Sequence, residues 1–310
     1  MSPRPAVFVL HSSMVALIGA AVAASACGGD GNTCVHDTDC ASQFCRADGT
    51  CGPADGADGG GGGSGIDASP GGDGATGACT PNHDGSISRD EEPLAAGRAA
   101  VFRTAANATI STAGSANPDG SRTWDLSAAL SGDQDDTVTL ASPAGAWWQS
   151  DFGSATYAVT LSSSSDLLGV FEVSDSAVLL LGVVSPDSGG GTDLAYDPPA
   201  RIVQLPFKAG DTWTSTSTVS GTATGVGTLY TEKYSSLVDE VGTMTTPYGA
   251  FPVLRVATDL TRTEGVTELA TSRTFTWNAE CFGAVATAVS QDFETGAEFT
   301  SAAEVERLAP

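Results

Sequence analysis

From about residue 95 onward the sequence predicts a mainly β fold, an antiparallel β sandwich or a curved half-barrel. Three observations carry that prediction. Apolar side chains alternate with period two where the pattern is clearest. Short apolar runs of strand length are separated by turn residues. Amphipathic stretches long enough to form helices are missing.

Residues 155–161 alternate at Tyr157, Val159 and Leu161, as a half-buried strand does. Leu167–Val173 and Val178–Val184 are continuous apolar runs that suit buried strands. The segment between Thr212 and Val226 is rich in Thr, Ser and Val, and 251–258 and 274–277 read as further strands. Pro186-Asp187-Ser188-Gly189, Asp197-Pro198-Pro199 and Tyr248-Gly249 are expected to turn the chain between them.

The start of the chain reads as an export signal over 1–26. Arg4 is followed by an apolar stretch from Ala6 to Ala24, interrupted at His11, Ser12 and Ser13 and closed by Ala24-Ser25-Ala26. The stretch is too short and too broken to cross about 30 Å of hydrocarbon. Ala24-Ser25-Ala26-Cys27 resembles the lipobox of bacterial lipoproteins, although the family has Leu where Ala24 stands; ordinary cleavage at the same bond is the alternative. The resemblance implies a lipid on Cys27 and anchorage to a membrane. Gly28 carries no inner-membrane retention signal, which favours the outer membrane. The chain has seven cysteines, an odd number for an oxidising compartment. Acylation of Cys27 leaves six to pair.

Residues 27–51 form a small cysteine-rich module, with Cys34, Cys40, Cys45 and Cys51 in an 18-residue stretch that is too short to bury a core. Two disulfides are expected there, in any of three pairings. Zinc is the rival reading, but its ligand pairs usually sit closer together. The cluster resembles small modules that follow the lipid anchor in some bacterial lipoproteins and, more loosely, the cysteine-rich region of Dickkopf proteins. Residues 52–78 are almost entirely Gly, Ala, Asp, Ser and Pro, including Gly59–Gly63. Such a segment cannot offset its ordering entropy and is expected to be a disordered tether with a typical span of roughly 30 Å.

Residues 79–94 contain the sharpest local motif. Thr80 to Glu91 resembles the twelve-residue EF-hand loop in a solitary, dockerin-like form. The resemblance implies Ca²⁺ ligands at Asn82, Asp84, Ser86 (through its carbonyl), Ser88 and Glu91, with Gly85 at the sharp turn and Ile87 as apolar anchor. Thr80 stands where the family has Asp, and Pro93 cuts any exit helix short, so the affinity is expected to be weak. The same residues also read as an Asp84-Gly85 turn followed by a Ser88-x-x-Glu91 capping box. Cys79 and Cys281, the two remaining cysteines, are expected to pair and clamp this loop to the β domain.

Charge and composition restrict the function. The formal net charge of −24 argues against nucleic acid and anionic head groups as partners. Only His36 and His83 follow the signal segment, and neither lies beyond residue 95, so a Ser-His-Asp or Cys-His arrangement within the β domain is excluded. Lys208 and Lys233 are the only lysines, and no phosphate-cradling loop is present. Gly189-Gly190-Gly191 reads as a turn. Carboxylate chemistry remains open through Asp151, Glu172, Asp239, Glu240 and Glu280, although each reads first as a solvated strand-end or loop residue. Trp124, Trp147, Trp148, Trp213 and Trp277 read as core, except that one of the adjacent pair is expected to be exposed on a strand.

Phe207-Lys208-Ala209-Gly210-Asp211-Thr212-Trp213 and Thr246-Pro247-Tyr248-Gly249-Ala250-Phe251 resemble segments of exported β-rich domains in Gram-negative bacteria, some of them related to curved-sheet lipoprotein carriers. The whole plan resembles uncharacterised lipoproteins of such bacteria. The expectation is an exported, membrane-anchored lipoprotein with a non-catalytic β domain that binds a protein, a glycan or an apolar ligand, with calcium at its N-terminal edge. One alternative is a periplasmic carrier of an apolar ligand or lipid, which requires a continuous apolar cavity. The other is a carboxylate-dependent hydrolase, which requires two close carboxylates at the floor of a cleft.

Overall fold

The computed structural model describes residues 79–310. Sixteen strands follow in order: β1 (Ser86–Ile87), β2 (Ala99–Ala106), β3 (Ser115–Ala116), β4 (Arg122–Asp125), β5 (Gln134–Thr139), β6 (Tyr157–Ser162), β7 (Ser165–Val173), β8 (Ala177–Val184), β9 (Asp193–Gln204), β10 (Phe207–Lys208), β11 (Thr212–Ala223), β12 (Val226–Thr245), β13 (Ala250–Glu264), β14 (Thr267–Ala279), β15 (Gly283–Ser290) and β16 (Ala302–Leu308). Twelve of them form one antiparallel path, β5-β2-β16-β15-β14-β13-β12-β11-β9-β8-β7-β6.

The path curls until its two edges touch. Ala141, just past β5, forms an antiparallel bridge with Ala158 of β6 through hydrogen bonds of 2.7 and 3.0 Å. The result is a nearly closed half-barrel, so of the two forms that the sequence leaves open the sheet takes the curved one. Closure leaves few unpaired edges and creates an inside and an outside, between which side chains alternate.

Two covers pack on the outside. Residues 107–130, which include β3 and β4, lie over β14–β16 together with the stretch around Phe299. Trp124 meets Trp277 edge-on at 5.7 Å, and Phe275 stacks on Phe299 at 5.5 Å. This explains why β15 reads Gly-Ala-Val-Ala-Thr-Ala-Val-Ser without alternation: all eight residues are buried, because both faces are covered. The loop over 142–155 seals β6–β8 in the same way with Trp148 and Phe152, which pack on Ala158, Val170, Leu181 and Val184.

Residues 79–94 are tied to the barrel. Ile87 of β1 pairs with Phe207 of β10, Leu94 is 1% exposed, and Cys281 donates its N–H to the Glu91 carbonyl. The expected disulfide between Cys79 and Cys281 is present, with Cα atoms 5.5 Å apart.

Two local expectations fail. Asp197-Pro198-Pro199 is no turn; it lies within β9. The β8–β9 register shifts between Leu180 and Gly182, so these residues bulge away from β8, where proline's missing N–H breaks no ladder bond. Trp147-Trp148 is not on a strand. Both lie in the 142–155 loop, where Trp148 is buried and Trp147, half-buried, donates its indole N–H to the Ser185 carbonyl at 3.0 Å.

Candidate functional site

Strand register gathers a polar group inside the barrel. On β12, Tyr230, Glu232 and Tyr234 recur at every second position and so share the inner face. Glu232 stands opposite Arg262 of β13, and Tyr234 opposite Leu260. Across β11, Val219 faces Tyr230 on one side and Tyr196 of β9 on the other. Three tyrosines, a glutamate and an arginine from strands β9, β12 and β13 thus converge.

Their geometry is tight. Arg262 donates from Nη2 to Glu232 Oε1 at 2.6 Å and from Nε to the same oxygen at 2.9 Å. Tyr234 donates its hydroxyl to Glu232 Oε2 at 2.5 Å. The guanidinium lies 4.7 Å over the ring of Tyr230, within cation–π range. The Glu232 side chain is 1% exposed and that of Arg262 14%. Burial alone would lower the guanidinium's pKa, but the charge of Glu232, with Tyr230 and the hydrogen bonds, outweighs it and holds Arg262 above its ordinary value. Burial first, and then the Glu232 charge, raises the tyrosines: Tyr230 to about 12, Tyr196 and Tyr234 well above the usual phenol value. At neutral pH all three remain phenols.

These groups line a cavity of about 490 Å³. Leu161, Leu167, Leu180, Val183 and Leu194 make one wall apolar. Glu304 of β16 lies on another side, where it accepts hydrogen bonds from Ser162 Oγ at 2.8 Å and Ser163 N–H at 3.0 Å. It thereby ties β16 to the β6–β7 hairpin. Asn107 and Gln291, bonded to each other at 3.3 Å, mark an exposed margin. A smaller cavity of about 180 Å³ lies at the seam between β5 and β6, lined in part by Thr104, Asp136, Ser162 and Glu306. Burial, and then the neighbouring Glu304, pushes the Glu306 carboxyl well above its usual value.

The residues singled out in the sequence lie elsewhere. Around 80–91, Asn82 Oδ1 accepts the Asp84 N–H and Asp84 Oδ1 accepts the Ser86 N–H, each at 2.8 Å. Ser88 donates both its N–H and its hydroxyl to Glu91 Oε2, at 2.9 and 2.8 Å, the reach-back half of a capping box. His83 and Gly85 take the left-handed conformation that curls the loop. Glu91 is buried, and its Oε1 has no hydrogen-bond partner among the described residues. Among those residues no three His, Cys, Asp or Glu side chains are grouped closely enough to hold a metal ion. Cys27, Cys34, Cys40, Cys45 and Cys51 lie outside the described residues, as do the signal segment and the tether.

The carboxylates weighed for catalysis do not line the central cavity. Asp239 pairs with Arg255, Glu240 with Arg122, Glu172 accepts from Ser154, and Glu280 accepts the His83 N–H. Trp124, Trp148, Trp213 and Trp277 are core, as expected. The cavity residues went unread. The signal available was Tyr230-x-Glu232-x-Tyr234, a carboxylate at an inward position of an alternating strand, matched by Leu260-x-Arg262 on the next strand.

No family model, curated protein or solved structure matches the chain.

Proposed function

We propose that the β domain is a non-catalytic binding module that receives a small amphipathic ligand in its central cavity. The observation that carries this reading is the cavity itself. Its volume of about 490 Å³ falls within the range of small-molecule sites, and it joins an apolar wall to a few convergent polar groups. Glu232 is held on both oxygens, by Arg262 and Tyr234, so its lone pairs orient neighbours instead of abstracting protons. The tyrosines are likewise held as phenols. This favours recognition over chemistry.

In the same proposal, a lipid on Cys27 anchors the chain to the outer membrane and residues 52–78 hold the β domain away from the bilayer. The partner is then a small molecule reaching the cell envelope, not nucleic acid.

The test is titration of the disulfide-intact protein with the neutral fluorophore N-phenyl-1-naphthylamine. Saturable binding near one to one is expected, and it should vanish in Leu260→Trp, which fills the cavity, while the thermal melt stays near wild type. Binding that survives this substitution places the probe elsewhere and sinks the reading.

We further propose weak calcium binding at Asn82, Asp84, Ser86, Ser88 and Glu91. The buried, unpartnered Oε1 of Glu91 supports it, as does the curl at His83 and Gly85. A ligand that binds only the folded state raises the melting temperature with its concentration. Millimolar Ca²⁺ should raise the melt by a few degrees, an effect on the order of 1 kcal/mol, and Asp84→Ala should remove it. No shift in the wild type leaves the segment a turn and a cap.

A further inference from the structure

Resting on the reading of the cavity as a ligand site, we propose that its ligand is a small organic cation, an amine or quaternary ammonium with a short apolar body. The charged side chains that line the cavity are Glu232, Glu304 and Arg262, so carboxylates exceed cations. They are not equivalent. Arg262 is already spent on Glu232, with two hydrogen bonds to one oxygen, and on the face of Tyr230. Glu304 is different: the hydrogen bonds it accepts come from a serine hydroxyl and a backbone N–H, both neutral, and it forms no salt bridge among the described residues. An anion entering the cavity meets a neutralised guanidinium and the field of Glu304. A cation meets Glu304 and aromatic faces.

The cavity already shows how it treats a cation. The Arg262 guanidinium sits 4.7 Å above the ring of Tyr230 and against a carboxylate. The rings of Tyr196 and Tyr234 also line the space, so a second cation finds aromatic surface in the same cavity as Glu304. Leu161, Leu167, Leu180 and Leu194 then take the hydrocarbon part. The chain's net charge of −24 acts in the same direction at long range, concentrating cations near the mouth and repelling anions.

The test compares three ligands that share a six-carbon chain and differ in the head group: hexylammonium, hexanol and hexanoate. Each competes against N-phenyl-1-naphthylamine on the disulfide-intact protein in 0.15 M salt, where long-range attraction to the acidic surface is largely screened. Hexylammonium should displace the probe at a concentration at least tenfold below hexanol, and hexanoate should fail. In Glu304→Gln, which keeps an acceptor for Ser162, hexylammonium should fall to the level of hexanol. Equal potency of the three in the wild type, or a preference for hexanoate, overturns the cation inference while leaving a ligand cavity in place. Displacement by none of them, with probe binding unchanged by Leu260→Trp, removes the cavity reading as well. The wild-type ranking needs no variant, so it decides the matter even if Glu304→Gln does not fold.

Discussion

Arg255 and Arg262 lie seven residues apart on β13, and because seven is odd they point to opposite faces of the sheet. Both are paired with carboxylates and set over aromatic rings, Arg255 buried and Arg262 half-buried, yet their surroundings differ. Arg255, 1% exposed, is packed solid on the outer face. Its three nitrogens reach Asp239, Glu298 and the Thr112 carbonyl, and its guanidinium lies 4.1 Å from the centre of Phe275. Arg262 has a compact pairing with Glu232 and borders open space. One ion pair fastens a cover to the barrel, and the other shapes a cavity. Burial and pairing alone do not separate structural from functional charge; the space beside the pair does.

The largest effect is expected on the outer face. Arg255→Met leaves Asp239 and Glu298 facing each other, and it removes one of the two donors to the Thr112 carbonyl, the other being the Trp124 indole N–H. Breaking a buried pair from one side is destabilising by about 3–5 kcal/mol. A urea melt should record that loss, and probe binding in the cavity should be unchanged while the protein remains folded. A loss below about 1 kcal/mol would show that residues 107–130 are held by Trp124 and Leu126 instead, and the contrast between the two arginines would fail on its structural side.

Buried carboxyls that form no ion pair among the described residues sharpen the comparison through pH. Glu92 is 5% exposed, and desolvation chiefly raises its pKa from 4.5 to about 8, with Arg89 opposing and Glu91 adding to the shift. The folded state therefore keeps a proton that the unfolded chain releases. The contribution is full below about pH 4.5 and is lost as pH rises through about 8. Stability should fall by about 2 kcal/mol between pH 5 and pH 7, and Glu92→Gln should flatten most of that slope. Glu306 contributes with the same sign. A melt that rises over this interval would mean that Glu92 is ionised in the fold.

The same contrast explains what the sequence could and could not disclose. The apolar runs at Leu167–Val173 and Val178–Val184 fall within β7 and β8 because both faces of these strands meet apolar side chains over much of their length. Cys79 and Cys281 were legible by elimination, and the Ser88–Glu91 contact by its spacing. The twenty residues of β12 were not legible as one strand, because its inner face carries Tyr230, Glu232, Tyr234 and Ser236 and gives no plain apolar alternation. Asp197-Pro198-Pro199 has turn composition, and only the register of β8 against β9 turns it into a bulge. The cavity depends on register throughout. Tyr196, Glu232, Arg262 and Glu304 span more than a hundred positions, and nothing local in the sequence says that they meet.

The smallest stability effect is expected where the charge pair is removed whole. Glu232→Leu with Arg262→Met replaces both partners by apolar groups of similar length, and such replacements of a buried pair are often close to neutral. Tyr234 loses the acceptor for its hydroxyl, so the net change should stay at about 1 kcal/mol. Binding should respond more. With Tyr234 and Tyr230 no longer fixed by Glu232 and Arg262, probe affinity should fall several-fold, and hexylammonium should keep its lead over hexanol because Glu304 remains. The matching double change on the other face, Asp239→Leu with Arg255→Met, should not be neutral, because Glu298 stays behind without its guanidinium. Melting the two double variants side by side measures the difference directly. Equal losses would make both pairs structural, whereas a near-neutral inner variant with weakened binding would mark the Glu232–Arg262 pair as part of a site.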